Sequence, residues 1–208
     1  MADSYKILYE GGEAEIEVKK SRFIATTRPV KTEEEAVAFI AEMKKKYWDS
    51  RHNCSAFTIG MNHELTRCSD DGEPAQTAGR PMLDVLLGED IHNMCVVVTR
   101  YFGGTLLGAG GLVRAYSHAA KLALDEAHVI TYEKYDVLTL ACGYSEYQKF
   151  LPIIRTFDAV IDDTVFEADV KLCFAMKSGA VERLDKKLAE SSFGKYTLTK
   201  EGERFDYR

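Results

Sequence analysis

The stretch "MCVVVTRYFGGTLLGAGGLVRAYSHAA", Met94 to Ala120, constrains the fold more than any other. Its first half is a continuous apolar run, the pattern of a central strand covered on both faces. Its second half and the residues just after it carry Leu112, Ala115, Tyr116, Ala119, Leu122 and Ala123 at helical spacing, with Arg114, His118, Lys121 and Asp125 on the other face. A strand buried on both sides that feeds a helix through a glycine loop requires a sheet with helices packed on it. The arginine at the end of the run, Arg100, needs an anionic or polar partner if it is buried.

The loop holds Gly103, Gly104, Gly108, Gly110 and Gly111. Glycines before a helix N-terminus let backbone N–H groups converge, which favours an anion. The spacing is neither the dinucleotide fingerprint nor a Walker loop, since no Lys-Ser/Thr follows. The alternative is a tight turn packed against a neighbour, where glycine is needed for steric reasons.

Some thirty residues upstream lies "SDDGEPAQTAGRP", with Asp70, Asp71 and Glu73 in four positions. Such carboxylates suit a divalent cation or acid–base work. They equally suit an Asp-Gly turn leading into a helix. A third possibility joins the two stretches, with Arg100 or Arg114 paired to Asp70 or Asp71. Pro74 is expected in the first turn of a helix running to about Leu87. "RHNCSA" sets His52 and Cys54 on one side of a strand, conceivable as a Cys–His dyad and more commonly a half-buried strand.

Residues 5 to 30 read as two or three strands, with Gly11-Gly12 turning the first hairpin. "KTEEEAVAFIAEMKKKYW" reads as a helix with Thr32 and Glu35 as a capping box and Ala36, Val37, Ile40, Met43 and Tyr47 as its apolar face. After residue 130 the order is βαββαβ, a ferredoxin-like pattern. Its last strand is placed at "KYTLTKEG", and Pro152 is expected to kink or shorten its first helix. The expectation is an α+β protein of two domains, 1–130 and 136–208, with "TYEKY" at 131–135 as linker.

The 208 residues carry a net charge of −6, about −4 up to residue 135 and −2 beyond. Neither part has the basic balance of a typical nucleic-acid binder, so DNA is not expected as a partner and RNA contact must use a local patch. Arg183, Lys186, Lys187 and Lys195 form one such patch, which a solvated helix face explains as well. Five widely spaced cysteines without a C-x-x-C pair point to a reducing cytosol and to no metal site or disulfide framework. The polar N-terminus is not a signal peptide, and no apolar run suggests a membrane span. No cofactor is implied.

"HNCSAF", "SDDGEPAQTAGRPML" and "VTRYFGGTLLGAGGLVRAY" together resemble the IMPACT family in its two-domain bacterial branch. The resemblance implies an N-terminal domain similar in fold to ribosomal proteins and GHMP-type kinases. It implies a ferredoxin-like C-terminal domain similar to the last domain of elongation factor G. Many relatives carry lysine where this chain has Leu106, and Ser-Gly or Gln-Gly at Ala75-Gln76. Eukaryotic members resemble translation regulators, and the likeness to ribosome-binding domains implies contact with ribosome, RNA or a translation-related protein; the first reading is a binding protein without catalysis, and the resemblance itself assigns no activity. The alternative is an enzyme or sensor that binds a small anion at the glycine loop, with Arg100, Arg114, His118 and the carboxylates around it.

Overall fold

The computed structural model describes residues 4–207. The chain divides into two compact units, Tyr5–Thr131 and the segment from Tyr132 onward.

In the first unit the strands are β1 (Ser4–Glu10), β2 (Glu13–Val18), β3 (Ser21–Pro29), β4 (His52–Ile59), β5 (Leu65–Ser69), β6 (Ile91–His92) and β7 (Met94–Tyr101). Its helices are α1 (Glu33–Lys46), α2 (Gly79–Gly88) and α3 (Ala109–Asp125). Five strands form an antiparallel sheet in the order β2-β3-β7-β4-β5. The apolar run is its central strand, β7, as its composition requires. Alternate residues face opposite ways, so Met94, Val96 and Val98 join the core under α2 and α3 while Cys95 and Val97 join the one under α1. The parity of β7 then puts Arg100 on the α2/α3 side.

Three local expectations are corrected. Gly11-Gly12 does not turn a hairpin: β1 pairs in parallel with β6, and β2 pairs with β3. A Cβ on Gly11 would lie 2.0 Å from the Thr27 carbonyl oxygen, so this pair serves close backbone approach. The hairpin turn is Lys19-Lys20, both at positive φ (49° and 66°). In α1, Thr32 caps as expected by accepting from the Glu35 N–H at 3.3 Å, but Val37 is exposed and Phe39 takes its place in the core. Finally, α2 starts at Gly79 rather than Pro74, because Asp70 holds the intervening segment in a wound loop.

The second unit contains most of β8 (His128–Cys142), then α4 (Tyr144–Arg155), β9 (Val160–Phe166), β10 (Val170–Lys177), α5 (Val181–Ser192) and β11 (Thr199–Asp206). Its strands are ordered β11-β8-β10-β9, all antiparallel, which is the ferredoxin-like arrangement. Leu138, Leu140, Phe150, Ile154, Phe174, Leu184 and Leu188 fill its core. β11 begins at Thr199, later than the sequence pattern suggests, and α4 runs through Pro152 to Arg155. Residues 131–135 are not a loop: they lie inside β8.

Candidate functional site

The carboxylates of "SDDGEP" are all engaged, each with different partners. Asp70 Oδ1 accepts from the N–H groups of Ala78 and Gly79 at 2.9 and 2.8 Å, and Oδ2 from that of Gln76 at 2.8 Å. Burial alone would push this carboxyl up, but the backbone donors of Gln76, Gly79, Ala78 and Thr77 outweigh it and hold it below the ordinary aspartate range. Asp71 accepts from the Asn53 N–H at 2.7 Å and pairs with Lys44 at 2.5 Å. Its own carbonyl lies 3.0 Å from His52 Nδ1.

Glu73 is the partner of Arg100. The two side chains are buried, at 3% and 7% exposure, and meet at 2.7 Å. The same carboxylate oxygen accepts from the Tyr116 hydroxyl at 2.8 Å. Arg100 also donates to Ser21 Oγ at 3.3 Å, and its guanidinium lies 5.5 Å from the rings of both Phe23 and Phe102. Its Nε is buried without a partner. The expected pairing of Arg100 or Arg114 with Asp70 or Asp71 is therefore corrected: Arg100 pairs with Glu73. The loop path explains why, since Asp70 and Asp71 turn toward backbone donors and leave Glu73 beneath β7.

Cys54 is fully buried, out of reach of a substrate in solution. Burial pushes its thiol up to about 12, and its Sγ donates to the Asp70 carbonyl at 3.0 Å. His52 makes no bond to it, so the two do not form a dyad.

The glycine loop combines two kinds of position. Gly103 is steric: a Cβ there would lie 2.0 Å from the Lys20 backbone, and its N–H donates to Ser21 Oγ at 3.2 Å. Gly108 is conformational, with φ of 73° and open space around it. No side chain caps α3 at its N-terminus, and the Gly108 carbonyl accepts from the N–H groups of Gly111 and Leu112. The Arg114 guanidinium folds back toward Gly110. Arg114 and His118 line a small cleft of about 200 Å³ with Lys19, Leu107 and Gly111. Neither pairs with the "SDDGEP" carboxylates. The sequence-derived site thus separates into a buried Glu73–Arg100–Tyr116 cluster and an exposed cleft at the start of α3.

In the second unit, Arg183, Lys186 and Lys187 stand exposed on α5, with Lys195 just beyond it. None of the four forms an ion pair among the described residues. Phe193, between Lys187 and Lys195 in sequence, has a wholly exposed ring. Sequence reading missed Phe193, although an aromatic next to "GK" at a helix end was its visible signal. It also missed the group of His63, Asp90 and His92, each with a polar side-chain atom within 4.8 Å of the others.

An antiparallel five-stranded sheet with helices on both faces, followed by a ferredoxin-like unit, defines a two-unit α+β protein. The chain belongs to the IMPACT family. The Impact N-terminal domain matches residues 19–124, and a domain of unknown function (DUF1949) matches residues 140–195. The chain is 37% identical to the IMPACT family member YvyE of Bacillus subtilis, over 98% of this chain and 93% of that one. It is 36% identical to YigZ of Escherichia coli, over 88% and 90%. Mouse Protein IMPACT is 35% identical over 43% of this chain and 29% of its own length. A solved structure described as a hypothetical protein is 34% identical, covers 96% of this chain and 98% of its own, and superposes with a TM-score of 0.61.

Proposed function

We propose that this protein is a translation-associated binding protein that contacts ribosomal or other single-stranded RNA through the α5 face of its second unit. The observation that carries this reading is that Arg183, Lys186, Lys187 and Lys195 are all exposed and without ion pairs among the described residues, on the same helix and helix end as the bare ring of Phe193, although Glu182 and Glu190 are exposed on that helix as well. Exposed cations attract phosphates even where, as for Lys187 over Phe157 and Lys195 over Tyr196, they also lie against a ring, and an exposed ring offers a stacking platform for a base at about 1–3 kcal/mol. The resemblance of eukaryotic relatives to translation regulators favours the same reading.

Ribosome co-sedimentation and anisotropy with a fluorescent single-stranded RNA test this. Changing the four cations to glutamate should weaken binding and flatten its salt dependence. Phe193→Ala should weaken it while leaving the salt slope intact. Binding that neither change affects would refute the reading.

A second reading is supported by the uncapped α3 N-terminus with Arg114 beside it: a small phosphate- or carboxylate-bearing ligand in the cleft of Lys19, Gly111 and His118. Calorimetry with phosphate and nucleotides separates the two, since Arg114→Ala should weaken only this binding.

A further inference from the structure

We propose that the stacked imidazoles of His63 and His92 are an acid-released latch, which holds the β4–β5 turn against the α2–β6 junction until both rings carry a proton. The latch lies in the first unit and does not depend on the reading given above. His63 sits in the turn between β4 and β5, Asp90 follows α2, and His92 is in β6. The rings lie face to face, 4.1 Å between centroids and 22° between planes. Both are turned to one carboxylate oxygen: His63 Nε2 lies 3.2 Å and His92 Nε2 3.5 Å from Asp90 Oδ1.

This arrangement suits two neutral rings. Each can donate an Nε2–H to Asp90, and uncharged rings stack without repulsion. The Nδ1 atoms of both are buried without partners. A proton added to either ring therefore goes to a nitrogen that has no acceptor, and a buried unpaired donor is costly. Asp90 can offset one such charge. Two would face each other across the 4.1 Å stack, where like charges disfavour the protonated form. Burial and the neighbouring His63 hold His92 below the ordinary histidine range, and Asp90, the Gly60 backbone and Glu64 offset this only in part.

The groups around the pair do not relieve it. Asp90 is 68% exposed, and Glu64 is already held by the N–H and the side-chain amide of Asn62, each at 3.0 Å. From β1 the Tyr5 ring stands edge-on to His92 at 6.5 Å. Lys6 of β1 and Lys121 of α3 are both turned to Glu89, to its carbonyl at 3.2 Å and its carboxylate at 3.0 Å.

Movement of the turn supplies the relief. Met61 and Asn62 are exposed. Besides the histidines, the Gly60 N–H ties the turn to the junction by donating to Asn93 Oδ1 at 2.9 Å, and the Thr58 hydroxyl donates to the Ile91 carbonyl at 3.1 Å. Swinging His63 into water separates the two charges and gives its Nδ1–H an acceptor. The released state then binds more protons than the latched one. The latch is firm above the ordinary histidine range and weakens as pH falls below it.

Amide hydrogen exchange of the native protein reads the latch at Gly60, with each rate divided by that of an unstructured peptide at the same pH. Gly60 protection should fall about tenfold or more between about pH 7.5 and about pH 5.5, the effect of a one-unit pKa difference between the two states. The Thr27 amide, bonded to the Gly12 carbonyl at 2.9 Å elsewhere in the same unit, should keep its protection. Nitrogen-15 spectra of the five histidines should show the stacked pair protonating in two separated steps, the second accompanying the loss at Gly60. His63→Asn keeps a residue that tolerates the φ of 52° at that position and removes the pair, so Gly60 protection should become independent of pH. Gly60 protection unchanged by acid, a loss shared equally by Thr27, a single-step titration of both rings, or a pH dependence that His63→Asn retains would each overturn the proposal.

Discussion

Asp70 and Glu73 show how two neighbouring carboxylates do different physical work. Asp70 satisfies three backbone donors ahead of α2. Asp70→Asn should destabilise the protein by about 1–3 kcal/mol, because an amide cannot accept from donors on both sides. The sign with pH follows from its depressed folded pKa. The stabilisation is full above the ordinary aspartate range and is lost as pH falls through that range toward the folded value. Urea melts should therefore show a large gap between native and Asp70→Asn protein at neutral pH and a small one in acid. Equal gaps at both would refute the assignment. Glu73 is a buried charge facing Arg100, and removing one member of such a pair costs about 3–5 kcal/mol. Glu73→Leu should cost that much, while Glu73→Leu with Arg100→Met should cost less than the two single changes added together. Additive losses would show that the pair is not coupled.

At the scale of elements, the β2–β3 hairpin offers a test of turn chemistry. Lys19 and Lys20 both occupy the left-handed region, where a type I′ turn favours Asn-Gly. Replacing them with Asn-Gly should raise stability by about 0.5–1 kcal/mol in thermal melts, provided that strain outweighs the added freedom of the unfolded chain. A loss would show that the lysine side chains contribute contacts at this turn. The same hairpin shows what the sequence could reveal. The alternation that predicts β2 and β3 is local, and so is the 3.6-residue stripe of α3, so both elements were legible. The turn was not, because Gly11-Gly12 carries the stronger local signal and its true use, approach to Thr27 and Ala123, is visible only in three dimensions. The start of α2 was hidden for a similar reason: Pro74 is locally a good helix starter, but the Asp70 side chain overrides it. The meeting of the two long motifs was legible from Arg100's need for a partner. The choice of Glu73 was not, since it rests on the path of the loop. His63, Asp90 and His92 have no spacing signature at all.

Over the whole molecule, the decisive segment is 131–135, which reads as a linker in sequence and is strand in structure. Its polar residues are accounted for by pairing along β8: Glu133, Lys134 and Tyr135 stand opposite Asp206, Phe205 and Arg204 of β11. Lys134 also pairs with Glu203 at 2.7 Å, and Glu133 pairs with Lys177. A protease needs extended chain free of pairing, which a strand hydrogen-bonded in a sheet does not supply without local opening. The segment after α5 differs. Phe193 and Gly194 both have positive φ, and residues 195–198 belong to no helix or strand. Lys195 is exposed, with its ammonium 5.0 Å from the centre of the Tyr196 ring. Trypsin should therefore cut after Lys195 well before it cuts after Lys134, and mass spectrometry of the first fragments should show a break near the C-terminal end rather than two halves. Early appearance of fragments ending at Lys134 would mean that β8 opens at the boundary between the units. The apparent linker would then behave as its composition suggests, and the charge pairs along β8 would be too weak to hold it.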